Sequence, residues 1–260
     1  MMYLDAGTTW SKIISTTEVK ELKEYFVKKS CHCEEQSDVA IQEKNIAGHI
    51  VKHVNKRFFA DAQNDEKFYY ILPSVKLKTY NFKFEKTTGH MTGQNGEKPE
   101  NEIISLVKGV TGKIDKDALV LDLGSRDAKW IRLKDGKFSD LDWNTSCAAA
   151  TGATVEMLLK FYDVKSEDLK FNEEKYPITC GIFGLEKIMD DISNGVNKKE
   201  AISKFIHGIA FNAWKFAKNP KKIYLSGGFC QNDCFVKSLS NYCEVELLGR
   251  FVLVEGLMKK

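Results

Sequence analysis

Two stretches, far apart along the chain, place the same side chains at the same spacing. Tyr3-Leu4-Asp5-Ala6-Gly7-Thr8-Thr9-Trp10-Ser11-Lys12 aligns without a gap on Val120-Leu121-Asp122-Leu123-Gly124-Ser125-Arg126-Asp127-Ala128-Lys129. In each, an apolar β-type run delivers an aspartate, then a glycine, a hydroxyl residue and finally a lysine. The glycine lets backbone N–H groups face an anion, and the hydroxyl can donate to it. The carboxylate can hold a metal or its water shell. One such turn is ordinary, because Asp and Gly populate hairpins everywhere. A matched pair arises by chance far less often, and it suggests a duplicated domain whose two phosphate-gripping hairpins face each other.

The elements around these turns follow from periodicity and punctuation. Leu119–Leu123 and Lys129–Leu133 read as strands, and an Asp135-Gly136 turn leads to a third strand of a meander. A helical pattern around Val19–Phe26 follows the first hairpin. Residues 68–86 read as strands, Asn101–Lys108 as a short helix and Val155–Tyr162 as an amphipathic one. A helix from Ile178 to Ile192 stops at Asn194-Gly195. Lys199–Lys218 carries Ile202, Phe205, Ile206, Ile209, Ala210, Ala213 and Ala217 on one face. Lys222–Leu225 is a strand running into Ser226-Gly227-Gly228, where glycines allow close backbone approach to a flat ligand. A helix (Asp233–Tyr242), a strand (Val245–Leu248) and a last helix after Gly249-Arg250 complete the order. Residues 28–67 lack a sustained period and read as a mobile insertion. The partition expected is an N-terminal lobe, residues 1–110, and a C-terminal lobe, residues 111–260.

The bulk composition narrows the function classes. The 260 residues can bury a sizeable core, and 43% apolar with 29% charged residues is a globular balance. A formal charge of +3 calls for neither a nucleic acid nor a membrane partner. No apolar run approaches the ~18 residues of a membrane span. No charged-then-apolar leader precedes the first strand, so a cytoplasmic location is expected. The seven cysteines are then expected as thiols rather than disulfides. Cys31-His32-Cys33 lacks a second CxxC-type pair to complete a metal tetrahedron.

Paired hairpins and a late strand ending in Gly-Gly resemble the actin, sugar-kinase and heat-shock ATPase superfamily. A narrower resemblance lies in Asn144-Thr145-Ser146-Cys147-Ala148-Ala149-Ala150-Thr151-Gly152 and Cys180-Gly181-Ile182-Phe183. Both stretches are similar to signatures of the activator ATPases of 2-hydroxyacyl-CoA dehydratases and benzoyl-CoA reductases. The resemblance covers most of residues 86–256 and residues 3–14. It implies an α/β fold of two ribonuclease-H-like lobes (the actin-like ATPase fold), with mixed sheets flanked by helices and the N-terminal lobe interrupted by the insertion.

The resemblance also implies ATP/ADP and Mg²⁺ as ligands, and a homodimer sharing one 4Fe-4S cluster. One cluster wants four thiolates, so two chains would each give Cys147 and Cys180. Asp5 and Asp122 would hold the Mg²⁺ water shell. Gly7, Thr8, Thr9 and Lys12 would cradle phosphates from one lobe, and Gly124, Ser125, Asp127 and Lys129 from the other. Gly227 and Gly228 would face adenosine. A low-potential donor such as ferredoxin or flavodoxin would supply an electron, and a dehydratase or reductase would receive it.

The sequence departs from the family in places. Ser125-Arg126 stands where the family has Gly-Gln, so a water-orienting Gln is missing. Ala150 replaces a Gly, and Leu106 a His. Two further readings therefore stand beside the activator. One is a metabolite kinase of the same superfamily, with Asp127 as its candidate catalytic carboxylate. The other is a non-catalytic cluster-bearing scaffold or redox sensor.

Overall fold

The computed structural model describes residues 1–30, 44–46, 49–53, 66–90, 99–144, 152–178 and 181–259. The strands, in chain order, are β1 (Met2–Ala6), β2 (Trp10–Ser15), β3 (Phe26–Ser30), β4 (Lys44–Ile46), β5 (His49–His53) and β6 (Lys67–Pro73). They continue with β7 (Lys86–Thr88), β8 (Ala118–Leu123), β9 (Ala128–Lys134), β10 (Lys137–Asn144), β11 (Lys222–Gly227) and β12 (Glu244–Gly249). The α-helices are α1 (Ser74–Leu77), α2 (Glu102–Val110), α3 (Gly152–Phe161), α4 (Gly181–Ser193), α5 (Lys198–Phe216), α6 (Asp233–Ser240) and α7 (Val252–Leu257).

The chain forms two compact units, and neither is a single stretch of sequence. Unit 1 is Met1–Ala40, Asn55–Asp115 and Phe251–Lys260, and unit 2 is Ile41–Val54 and Lys116–Arg250. This differs from a linear split near residue 110. Segment 28–67 is also not one blank insertion: β3 pairs with β6, and the β4–β5 hairpin joins the unit-2 sheet through β5, parallel to β12. Backbone ladders need no apolar period, so polar composition concealed these strands.

In unit 1, among the described residues, the sheet order is β3-β6-β2-β1-β7. The run expected as strands over residues 68–86 breaks at Pro73, where α1 begins, and resumes only at β7. Leu4, Ala6, Ile13, Leu22, Tyr70 and Leu72 form an apolar cluster from β1, β2, β6 and the 3₁₀ turn Lys20–Tyr25. A second cluster joins Tyr3, Ile14 and Tyr69 to Phe251, Val254 and Leu257. α2 starts where Asn101 accepts a bond from the Ile103 amide at 2.8 Å. α2 and α7 cross with glycine on each side. A Cβ on Gly109 would strike the Val252 carbonyl, and one on Gly256 the Ser105 carbonyl.

In unit 2 the order is β10-β9-β8-β11-β12-β5-β4. β8 lies inside the sheet and is buried at every residue, which its apolar run Ala118–Leu121 anticipates. Asp135 and Gly136 both take positive φ, 53° and 75°, as a tight β9–β10 turn requires. α5 buries Ile202, Phe205, Ile206, Ile209, Ala210 and Ala213. Residues 171–178 have no regular structure but are tied to α5. The Tyr176 amide donates to the Lys204 carbonyl (3.2 Å) and Asn212 Nδ2 to the Ile178 carbonyl (2.6 Å). His207 lies 3.2 Å from the Glu174 carbonyl through Nδ1 and 2.7 Å from the Tyr242 hydroxyl through Nε2. Gly208 is required beneath this strap, because a Cβ would lie 2.5 Å from the Tyr176 carbonyl.

Two measurements check this packing. Gly256→Ala is expected to lose about 1–3 kcal/mol or more in urea denaturation, because the two backbones must separate. Burial lowers the His207 pKa from its usual value, with nearby Lys175 acting in the same direction and backbone bonds at Glu174 and Asn172 opposing. The neutral ring's stability is therefore fully present above about pH 6.5, the unfolded value, and is lost as pH falls through the folded-state pKa. His207→Gln keeps hydrogen-bonding capacity without that titration. Its stability-versus-pH curve should be flatter below pH ~6.5 than that of the wild type.

Candidate functional site

The two aspartate turns have the same local geometry. In β1–β2 the residue opposite Asp5 is Lys12, and in β8–β9 the residue opposite Asp122 is Lys129. The equal sequence spacing is thus equal strand register. Asp5 and Asp122 are 4% and 3% exposed, and carboxylates so buried need partners. Lys12 Nζ sits 2.7 Å from Asp5 Oδ2. Lys129 Nζ stands 3.8 Å from Asp122 Oδ2 and 3.1 Å from Asp127 Oδ2, and is itself 2% exposed.

Each turn is braced from outside its hairpin. The Ser74 hydroxyl donates to the Gly7 carbonyl at 2.6 Å and lies 2.9 Å from the Ser11 hydroxyl. The Ser74 amide donates to the Thr9 carbonyl at 2.9 Å. These bonds fix the Gly7-Thr8-Thr9 loop and leave Thr8 exposed. In unit 2 the Gly124 amide donates to the Asp127 carbonyl at 3.0 Å. The first residues of α3 seal the same turn: the Gly152 and Ala153 amides donate to the Gly124 and Ser125 carbonyls at 3.2 and 2.9 Å. Asp127 Oδ2 also accepts from Trp143 Nε1 at 2.6 Å, and the Lys129 ammonium lies 4.8 Å from the Trp143 ring centroid. In this geometry the Asp127 carboxylate braces the turn.

A third part recurs in both units that hairpin spacing alone did not reveal. On its other edge β1 pairs in parallel with β7, placing Thr88 opposite Asp5. β8 pairs in parallel with β11, placing Ser226 opposite Asp122. Each hydroxyl residue is followed by a glycine at nearly the same positive φ, 99° at Gly89 and 97° at Gly227. A Cβ on Gly89 would strike the Ala6 backbone, and one on Gly227 the Leu123 backbone. Only glycine permits that approach and that dihedral together. Ser226 Oγ donates to Asp122 Oδ1 at 2.6 Å, whereas Thr88 Oγ1 donates to the Glu100 carbonyl at 2.8 Å. A hydroxyl-Gly pair closing a strand was the available signal, and for Thr88-Gly89 a dipeptide was too short to be read. Gly228 is open: a Cβ there meets nothing within 4 Å.

Asp5, Gly7, Thr8, Thr9 and Lys12 are therefore together in unit 1. Asp122, Gly124, Ser125, Asp127, Lys129 and Gly227 are together in unit 2, and Gly228 continues from there. Cys147 and Cys180 lie outside the described residues, as do Cys31 and Cys33. Cys230, Cys234 and Cys243 are buried, and burial raises their pKa values to about 12, 11 and 12, so they are held as thiols. Among the described residues no group of three or more His, Cys, Asp and Glu converges on a metal-sized site. A magnesium ion held through water by one or two carboxylates needs no such group.

Burial ranks the two lysines energetically. Lys129→Ala leaves two carboxylates facing an uncompensated interior and is expected to cost about 3–5 kcal/mol in chemical denaturation. Lys12→Ala, at a side chain 16% exposed, should cost less, because water reaches the vacated site.

No family model matches the sequence. The chain is 24% identical over 184 residues to the activator of lactoyl-CoA dehydratase of Anaerotignum propionicum, covering 66% of this chain and 71% of that one. It is 24% identical over 176 residues to the (R)-2-hydroxyglutaryl-CoA dehydratase activating ATPase of Acidaminococcus fermentans, covering 62% and 67%. Its fold matches the solved activator of the 2-hydroxyisocaproyl-CoA dehydratase from Clostridium difficile, a structure with bound ADPNP. The TM-score is 0.63 and the identity 19%, over 98% of this chain and 91% of that one. Two mixed sheets flanked by helices and these matches agree: the chain has the actin-like ATPase fold and is similar in sequence to proteins named as activators of 2-hydroxyacyl-CoA dehydratases.

Proposed function

We propose that this protein is an ATP-dependent iron–sulfur activator, which delivers one electron to a 2-hydroxyacyl-CoA dehydratase or a benzoyl-CoA reductase-type partner. The observation that carries the reading is the recurrence of the buried Asp–Lys pair and its Gly-hydroxyl turn in both units. The named relatives and the ADPNP-bound neighbour support it.

In this reading each unit offers an anion-binding turn. Unit 1 contributes Gly7, Thr8, Thr9 and Lys12, and unit 2 contributes Gly124, Ser125 and Lys129. Asp5 and Asp122 orient water on Mg²⁺. Gly227 packs the end of β11 against β8, leaving open Gly228 to receive the nucleoside. Phosphoryl transfer to water needs positioning and charge stabilisation more than a covalent nucleophile, so backbone donors, lysines and a metal suffice.

Cys147 and Cys180 would give two thiolates, and a second copy of the chain the other two. Cys180 directly precedes Gly181, the first residue of α4, and Cys147 precedes α3. The thiols at 230, 234 and 243 are buried and protonated, which suits a structural role. When bound, such a cluster supplies one-electron chemistry. A ferredoxin or flavodoxin would refill it, and ATP hydrolysis to ADP and phosphate would accompany the electron's departure.

One observation favours a second reading, a cluster-bearing scaffold with weak hydrolysis. Arg126 is exposed in the turn where the resemblance expects a water-orienting Gln. ATPase rates with and without reductant separate the two, and no turnover in either condition leaves only the scaffold.

The activator reading is checked by anaerobic purification. A brown dimer is expected, with broad absorbance near about 400 nm and about two irons per chain. Cys147→Ala and Cys180→Ala should each abolish both colour and iron, while Cys234→Ala retains them. A colourless monomer from the unmodified chain rules the proposal out.

A further inference from the structure

Among the described residues of unit 2, one charged side chain has a buried donor without a partner. Gly249, at φ +84°, ends β12 and turns the chain into Arg250. The Arg250 side chain is half-buried, and its Nη1 donates to Gln231 Oε1 at 3.2 Å. Its Nε is sealed from solvent and has no hydrogen-bond partner among the described residues. Burial pulls the guanidinium pKa below its ordinary value, against the favourable field of Glu156. Neither the long bond to Gln231 nor that field replaces the water that Nε has lost.

Topology places this group at a binding edge. β12 runs parallel to β11 with Gly249 opposite Ser226, and β11 runs parallel to β8 with Ser226 opposite Asp122. Arg250 thus follows the carboxyl end of the strand next to the one that ends in Gly227-Gly228. Ligands of open α/β sheets lie at such carboxyl ends.

We propose that Arg250 is a nucleotide-binding residue, which leaves Gln231 and closes its N–H fork on a phosphate oxygen of a nucleotide whose nucleoside lies over Gly228. The inference rests on the nucleotide reading given above and adds to it a residue and a movement. A resting position with one weak bond and one orphaned donor is easily vacated. An anionic oxygen pair matches the guanidinium fork in a way that an amide oxygen does not.

The test compares wild type, Arg250→Met and Arg250→Lys by titration with fluorescent mant-ADP and Mg²⁺, and by thermal unfolding without nucleotide. Arg250→Met is expected to weaken mant-ADP binding roughly 10- to 100-fold, the loss of one charge-assisted pair. Arg250→Lys should recover only part of it, because an ammonium lacks the fork. The nucleotide-free melting temperature of Arg250→Met should be unchanged or raised, since an unsatisfied buried donor has gone. Undiminished binding by Arg250→Met, or a lowered nucleotide-free melting temperature alongside weaker binding, overturns the inference and leaves the nucleotide reading standing. A wild-type chain that binds no mant-ADP overturns both.

Discussion

A carboxylate buried at the end of a strand must find a cation, and in both units of this protein the same lysine position supplies it. The Asp5–Lys12 and Asp122–Lys129 pairs set more than local charge balance. Each lysine is the cross-strand partner of its aspartate, so the pair fixes hairpin register and thereby the length of the turn between them. With register fixed, the glycine and the hydroxyl residue occupy the same point of each turn. The parallel strand beside each aspartate must then approach without a Cβ, at Gly89 and at Gly227. One electrostatic requirement thus propagates through three strands, twice.

The two copies have diverged in how tightly they are held. Lys129 serves two carboxylates and packs against an indole, while Lys12 serves Asp5 and remains partly open to water. Ser226 binds its aspartate directly, while Thr88 binds the Glu100 carbonyl instead. The two turns share the register of their Asp–Lys pairs and differ in what surrounds them. The second turn has α3 amides closing on its carbonyls, and the first has the Ser74 amide and hydroxyl in that role.

Much of this was legible in the residues because the informative ones are chemically intolerant of replacement. Asp5, Gly7, Lys12 and their counterparts declared the hairpins, and Asp135-Gly136 declared a turn that the backbone dihedrals bear out. Helix α5 followed from an apolar face that the structure buries almost residue for residue. What escaped depends on contacts rather than on composition. The strands β3, β4 and β5 use backbone ladders within a polar stretch, so periodicity was silent. Thr88-Gly89 gained meaning only beside Ser226-Gly227, when two parallel pairings put both next to an aspartate. Arg250 looked like a connector between a strand and a helix until its stranded Nε set it apart.

The interleaving of the units has a consequence for how the chain can fold. Five segments alternate between them, and unit 1 draws on residues at both ends. Tyr3 and Ile14, in β1 and β2, share a cluster with Phe251, Val254 and Leu257. That contact closes a loop of some 230 residues, at an entropic cost that local pairings do not carry. Unit 2 lacks that handicap along β8, β9 and β10, which are neighbours in sequence and in the sheet. The second aspartate turn therefore sits on pairings between sequence neighbours, whereas one face of the first is completed by the distant α7.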